Sequence, residues 1–419
     1  MNEYDSKLIR ESLRLHGHSL VSSPERADAV VVNTCSVRER AEMRVLGRLR
    51  HLRGLAPPDA VVAVVGCVAQ RLGSELFELT PVDLVVGTDG YGRLPELLRA
   101  ARDERCLWTP VYRRDPYDER DAPVTAGIRE FVAVMRGCDN YCTYCIVPFV
   151  RGRERSRTAN SVLREVGRLT ALGTKDITLL GQNVNSYRDG DADFPELLRR
   201  VAAVPGLERL RFATSHPKDL SDELIETIAS TGAVCEHIHL PVQSGSDRVL
   251  ASMGRSYDRE RYRALVRTIR ERVPDVALTT DIIVGFPGET ADDYEETVSL
   301  MEEVRFDSAF MFRYSVRSGT AAADLADDVP EEEKIARLER IIELQKGITW
   351  RINEGLVGQR VEVLCEGPSQ RDNDVLFGRT RQNKAVVFSG RADVGELVDV
   401  TVREASAWTL RGVVSDRSA

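Results

Sequence analysis

The chain has 419 residues, of which 42% are hydrophobic and 30% charged, with a formal net charge of -8. That length exceeds one ordinary core and predicts two or three domains at roughly 150 residues each. The composition is that of a multidomain globular protein. It excludes a membrane-spanning segment, because no apolar run is long enough, and it excludes nucleic-acid binding through overall charge, leaving only local basic patches. The opening MNEYDSKLIRESLRLHG has neither an apolar signal core nor a small-residue cleavage site, which predicts a cytoplasmic protein whose eight cysteines are mostly reduced.

This opening segment reads as a helix with Asp5 or Ser6 as a cap and no strand before it. Three short apolar runs follow, ADAVVVNTC, DAVVAVVGC and VDLVVGT, with helical stretches after the first two. They predict buried parallel strands of a Rossmann-like α/β domain over residues 1–111. Two runs end in cysteine, at Cys35 and Cys67, and the carboxyl ends of parallel strands line ligand crevices. Residues 112–127, polar and punctuated by proline, read as a linker. From 128 to 355, six apolar runs (EFVAVMR, KDITLLG, LERLRFAT, CEHIHLP, ALTTDIIVGF and FDSAFMFRYS) alternate with helical patterns and predict a partial (β/α)6 barrel, closed by a long helix beginning at PEEEK. Residues 356–419 hold five short runs separated by Gly, Asp and Asn, which predict a small antiparallel β-barrel.

The chemistry is concentrated in RGCDNYCTYCIVPFVRGRERSR, just after the first barrel strand, where Cys138, Cys142 and Cys145 have the spacing C-x3-C-x2-C. A structural zinc site normally has four closed ligands, and no fourth cysteine or histidine follows at the usual spacing. Three thiolates on a four-iron cluster leave one iron open. In radical S-adenosylmethionine (SAM) enzymes that iron binds the amino and carboxylate groups of SAM, which is reductively cleaved to a 5'-deoxyadenosyl radical. A zinc-containing RNA-binding protein is the non-catalytic alternative.

The cysteine segment, VVNTCSVRERAE, LLGQNVNSY, HLPVQSGSD, IVGFPGET and GRTRQNKAVVF together resemble the methylthiotransferase family of radical SAM enzymes over nearly the whole chain. Within that family they are most similar to the branch that modifies N6-isopentenyladenosine in tRNA, ahead of those acting on threonylcarbamoyl-adenosine or on an aspartate of a ribosomal protein. The resemblance implies an N-terminal domain with an auxiliary [4Fe-4S] cluster, a radical SAM barrel with a second, and a C-terminal TRAM module that grips RNA. It also implies two uses of SAM, as methyl donor and as radical source, for insertion of a methylthio group at carbon 2 of an adenine beside the anticodon. The implied partners are tRNA, SAM, an electron donor such as flavodoxin or ferredoxin, and a sulfur source, with no membrane and a monomeric chain. Cys35 and Cys67 match two of the three auxiliary ligands. The third is expected at the end of a first strand just before MNEYDS, so the expectation is that the chain begins inside its natural first strand; Cys106 is the nearest substitute thiol.

Further candidates surround this core. Gly181, Gln182 and Asn183 end the second barrel strand, Gly285 and Gly288 follow the fifth, and Ser215 and Gln243 also end strands, so all are read as SAM-pocket residues at the carboxyl mouth. Arg151, Arg153, Arg155 and Arg157 follow the cysteines, with Arg153 and Arg155 taken as RNA or SAM contacts. His237 and His239 share one strand face and read as packed rather than ligating, and Cys235 and Cys365 as core. From Arg351 to Ala419 there are ten Lys plus Arg against ten Asp plus Glu. Only Arg379, Arg381 and Lys384, with Arg371 nearby, therefore offer phosphate contacts, and Phe377 or Phe388 a stacking surface.

Overall fold

The computed structural model describes residues 1–36, 39–112 and 126–415, the first five residues of the helix Glu39–Leu55 by backbone alone. Most of the expected linker lies outside the described residues. The first helix, Asn2–Leu15, buries Tyr4, Asp5, Leu8, Ile9 and Ser12, the one face that a 3.6-residue period brings together. Asp5 is not its cap, which is Met1; the carboxylate is buried instead. Behind the helix lies a parallel sheet ordered β1 (Ala29–Thr34), β2 (Val61–Gly66), β3 (Leu84–Val86) and β4 (Cys106–Trp108). Every residue of β2 is buried, as expected of a central parallel strand covered on both faces. The edge strand β4 is not among the expected elements.

The six expected barrel strands are all present: β5 (Arg129–Ala133), β6 (Asp176–Leu180), β7 (Arg209–Ala213), β8 (His237–His239), β9 (Ala277–Val284) and β10 (Ser308–Arg313). They pair in parallel and in chain order, with a bridge from Leu210 to Val234 joining the first three to the last three. The result is an open, partial barrel whose carboxyl ends form one mouth. The long helix Glu331–Glu354 closes it, opening on three glutamates that complement its dipole.

The C-terminal module is a closed barrel of β11 (Arg360–Ser369), β12 (Asp372–Thr380), β13 (Ala385–Ser389), β14 (Leu397–Ala405) and β15 (Leu410–Val414), in the ring order β11-β12-β13-β15-β14. It is not wholly antiparallel. β13 and β15 pair in parallel, Val386 beside Leu410, because an odd number of strands closed in a ring cannot alternate direction throughout. This module docks on the base of the central barrel, where the strands begin. Arg211 bonds Asp176 at 3.0 Å and the Thr380 carbonyl at 2.9 Å, while Arg209 bonds the Arg379 carbonyl at 2.6 Å and Glu362 at 2.8 Å. Among the described residues no helix is long and apolar enough to cross a membrane.

Candidate active site

Cys35 and Cys67 each follow the last residue of a strand, and the register sets Thr34 beside Gly66, so the two thiols leave the sheet side by side. Gly66 has φ 95°, and a Cβ there would stand 2.5 Å from the Thr34 carbonyl; only glycine allows this approach. Thr34 Oγ1 donates to the Val65 carbonyl at 2.6 Å and accepts from the Val68 amide at 3.2 Å, pinning the turn into the helix Cys67–Leu72. Cys106 pairs with Leu84, which pairs with Ala63, well short of Gly66. It therefore sits toward the other end of the sheet and does not complete a set with the first two thiols.

Beyond β5 the chain runs through Met135–Arg136, which pairs antiparallel with Arg155–Ser156. The loop between them carries the cysteine triad, with Cys138 and Cys142 buried, Cys145 half-buried and all three free thiols. Several bonds hold this loop to the mouth. The Gly137 amide donates to Gln182 Oε1 at 2.6 Å, the Thr143 amide to the Met253 carbonyl at 3.0 Å and Thr143 Oγ1 to the Ser252 carbonyl at 2.9 Å. Burial pushes the Cys138 thiol up to about 11 and Cys145 up to about 12. Such thiols stay protonated until a metal takes the proton's place.

The N-terminal sheet and the triad loop come together: Cys67 lies in one buried cluster with Ile146, the residue after Cys145, and Val150, while the Arg317 guanidinium donates to the Ser36 carbonyl and acts electrostatically on Cys145. Ser215 Oγ and Asn183 Oδ1 are buried with no hydrogen-bond partner among the described residues. Three thiols on one loop match the donor set of an iron-sulfur cluster with an open iron, and unpartnered polar atoms at strand ends suit an amino-acid-like ligand beside it. Among the described residues no three His, Cys, Asp or Glu side chains are grouped to hold a single ion. A four-iron cluster is wider than one ion.

Other expected site residues fall differently. Gln243 is buried with φ 74°, its backbone bonded to Asp281 and Ile283. Gly181 packs on Met135, where a Cβ would come within 2.6 Å of Cγ. Gly285 and Gly288 both have positive φ, 68° and 78°. A Cβ on Gly285 would stand 2.3 Å from Lys334 Cγ, and the Gly288 amide donates to Asp328, so both face the closing helix and the segment before it. His239 bonds Thr279 Oγ1 at 3.0 Å, and Cys235 and Cys365 are core.

The basic runs need the largest correction. Arg155 is not available to RNA: its side chain is 4% exposed and bonds Asp89 at 2.5 Å. Arg151 and Arg136 share Asp5 at 2.7 and 2.9 Å, and Arg157 bonds Glu165 at 2.6 Å and Tyr4 Oη at 3.2 Å. Burial pushes the Asp5 carboxyl up, but the two guanidiniums outweigh it and hold it below the usual range. Of the four arginines that follow the cysteines, Arg153 alone is largely exposed, at 79%, and it pairs at the surface with Asp139 at 3.0 Å. Arg381 bonds Glu236 at 2.6 Å, Lys384 bonds Asp307 at 2.7 Å and Arg379 lies 3.4 Å from Glu366, so this patch is spent largely on the seam with the barrel base. Phe388 is core, and Phe377 is half-buried beneath Arg379. Sequence reading also missed Arg255 and Arg317, whose partners lie 113 and 281 residues away and leave no local signal.

A six-stranded parallel partial barrel with three free cysteines at its carboxyl mouth is the architecture of a radical SAM enzyme, and the Radical SAM superfamily model matches residues 132–301. The uncharacterized protein family UPF0004 matches residues 1–87 and the TRAM domain residues 355–415. Proteins described as tRNA-2-methylthio-N(6)-dimethylallyladenosine synthase are similar over almost the full chain. The one from Acetivibrio thermocellus is 46% identical over 427 residues, 99% of this chain and 88% of its own. That from Bacteroides thetaiotaomicron is 48% identical over 425 residues, 98% of this chain and 93% of its own. The chain belongs to their family, the radical SAM methylthiotransferases, and with it come SAM and a [4Fe-4S] cluster. In fold it is similar to the radical SAM methyltransferase TsrM of Kitasatospora setae, with a TM-score of 0.58 at 18% identity over 77% of this chain and 74% of that one.

Proposed function

We propose that this enzyme inserts a methylthio group at carbon 2 of N6-isopentenyladenosine beside the tRNA anticodon, using SAM both as methyl donor and as radical source. The observation that carries this reading is the buried cluster of Cys67, Ile146 and Val150, which sets the end of the N-terminal sheet against the segment that directly follows the triad. In this reading residues 1–111 carry an auxiliary cluster, 128–355 the radical site and 356–419 an RNA-binding module. Cys138, Cys142 and Cys145 hold one [4Fe-4S] cluster, and Cys35 and Cys67 supply two thiolates toward the other.

When bound, the cluster and SAM supply a carbon radical, the chemistry required at an aromatic carbon with no acidic proton. The chain's residues bind and orient. Gln182 fixes the triad loop through the Gly137 amide, Ser215 and Asn183 offer free oxygens to SAM, and Arg317 ties the loop after β10 to the Ser36 carbonyl beside Cys35. RNA meets the mouth at Arg153 and at the edge-to-face pair Tyr141 and Phe149, 51% and 54% exposed with ring centroids 6.1 Å apart. Exposed Arg371 and Trp408 on the C-terminal barrel offer a second, separate contact for RNA. The protein works as a cytoplasmic monomer with flavodoxin or ferredoxin as electron donor and a separate sulfur source.

The test is iron and labile sulfide per chain after anaerobic reconstitution, alongside mass analysis of nucleosides from tRNA treated with the loaded enzyme. Two clusters give about eight irons, and the Cys138→Ala, Cys142→Ala, Cys145→Ala triple variant about four with no product. Retention of all iron in that variant would remove the triad from the cluster. A methylthio product on another nucleoside, or none, would remove the substrate assignment.

A further inference from the structure

Arg255 carries a buried positive charge with no carboxylate paired to it among the described residues. Its Nε donates to Tyr257 Oη at 2.8 Å, Nη2 to the Pro241 carbonyl at 2.9 Å and Nη1 to Cys142 Sγ at 3.4 Å. The guanidinium carbon also lies 5.0 Å from the Tyr257 ring centroid. The other buried arginines are each matched by an acid: Arg136 and Arg151 by Asp5, Arg155 by Asp89, Arg157 by Glu165, Arg209 by Glu362, Arg211 by Asp176 and Arg337 by Glu289. Arg255 alone among these has only neutral oxygens, an aromatic face and a cysteine sulfur. A buried cation without a counter-ion is strongly unfavourable, so this position calls for negative charge from something bound next to it.

The placement of Arg255 is also fixed. Helix Asp247–Ser252 ends in a turn whose Ser252 and Met253 carbonyls accept the two bonds from Thr143, between Cys142 and Cys145. Gly254 has φ 72° and runs past Thr143 and Cys142, where a Cβ would make ordinary contacts of 3.6–3.8 Å. Arg255 is thus delivered to the cysteine by the same turn that staples the loop.

We infer that the counter-ion of Arg255 is the iron-sulfur centre bound through Cys142, and that Arg255 is a positioning residue that favours the one-electron-reduced state of that centre. The inference rests on the reading of Cys142 as a cluster ligand. A dicationic four-iron core with three thiolates carries one net negative charge, and one electron from a low-potential donor adds a second. A guanidinium bonded to a ligating sulfur in a dry site stabilises the more negative state more strongly, raising the potential.

The experiment is an EPR-monitored reductive titration with dithionite of the full, anaerobically loaded chain. A Cys35→Ala, Cys67→Ala background leaves one centre to titrate, and Arg255→Met, Arg255→Gln and Arg255→Lys are compared on it. With iron content unchanged, the Met and Gln variants should be at least tenfold harder to reduce, a fall of about 59 mV for a one-electron couple. The Lys variant, which keeps the charge, should fall by much less. Gln can still bond the Pro241 carbonyl, so it also decides the matter if the Met variant does not fold. A wild-type potential in the fully loaded Gln variant overturns the inference, as does an equal fall in Gln and Lys. Failure of the parent reading looks different: Cys142→Ala would then keep its iron whatever Arg255 does.

Discussion

Two basic runs, residues 151–157 after the cysteines and 378–384 in the C-terminal barrel, look alike in sequence and share a fate in the fold. At the mouth, Arg151, Arg155 and Arg157 turn inward to Asp5, Asp89 and Glu165, binding the N-terminal sheet and first helix to the central barrel. At the base, Arg381 and Lys384 reach Glu236 and Asp307, and Arg209 and Arg211 reach back to carbonyls of the C-terminal module. The two seams differ in depth. The mouth pairs are almost fully buried, whereas Arg381 and Glu236 are 25% and 23% exposed. Alternating arginines therefore mark places where domains meet as readily as places where RNA lands, and the depth of each seam sets what its loss costs.

The largest effect that would break this comparison is at the mouth. Asp5→Ala removes the buried carboxylate that Arg136 and Arg151 share and should cost about 3–5 kcal/mol, read as a lower urea midpoint. A change below about 1 kcal/mol would mean water reaches the pair. Next, Tyr141→Ala and Phe149→Ala should each weaken binding of an anticodon stem-loop by about 1–3 kcal/mol, measured by anisotropy, with thermal stability kept. Unchanged binding would take that aromatic pair out of the RNA surface.

The two seams are separated most sharply by salt. Arg381→Met should cost about 1–2 kcal/mol of stability and leave the salt slope of RNA binding unchanged, while Arg153→Met leaves stability alone and reduces the slope by about 1. The reverse pattern would restore residues 378–384 as an RNA patch. The smallest effect is a pH dependence. Burial first, then the charges of Arg255 and Lys218, push His216 down to about 2, and its Nδ1 accepts from the Lys218 amide. The folded chain holds it neutral while the unfolded chain protonates it near 6.5. Stability is thus fully present above that pH and falls below it, by at most about 1.4 kcal/mol per unit. His216→Gln should flatten that slope in apoprotein melts between pH 6.5 and 5.

Most strands were legible because buried parallel strands are short apolar runs ended by Gly or Cys, as at Val61–Gly66 and Ala277–Val284. β4 escaped because Cys106–Trp108 is three residues at a half-exposed edge. The parallel closure of β13 on β15 is a property of the ring, invisible in either strand. In the site, the spacing of Cys138, Cys142 and Cys145 was readable because the three cysteines lie on one short loop. The packing of Gly285 against Lys334 was not readable, because Lys334 lies 49 residues further along the chain. The roles of the arginines were not readable at all, since an arginine carries the same charge whether it faces Asp89 or solvent.

The acid in the first helix has a consequence for the order of synthesis. Asp5 leaves the ribosome early, yet Arg136 and Arg151 follow 131 and 146 residues later, and Arg317 reaches the Ser36 carbonyl across 281. Cys67 therefore waits for Ile146 and Val150, and the Ser36 carbonyl beside Cys35 waits for Arg317 until about three-quarters of the polypeptide has been made. Sealing of the thiol pair is then a long-range step completed late, and during translation the pair stands open to solvent and to oxidants.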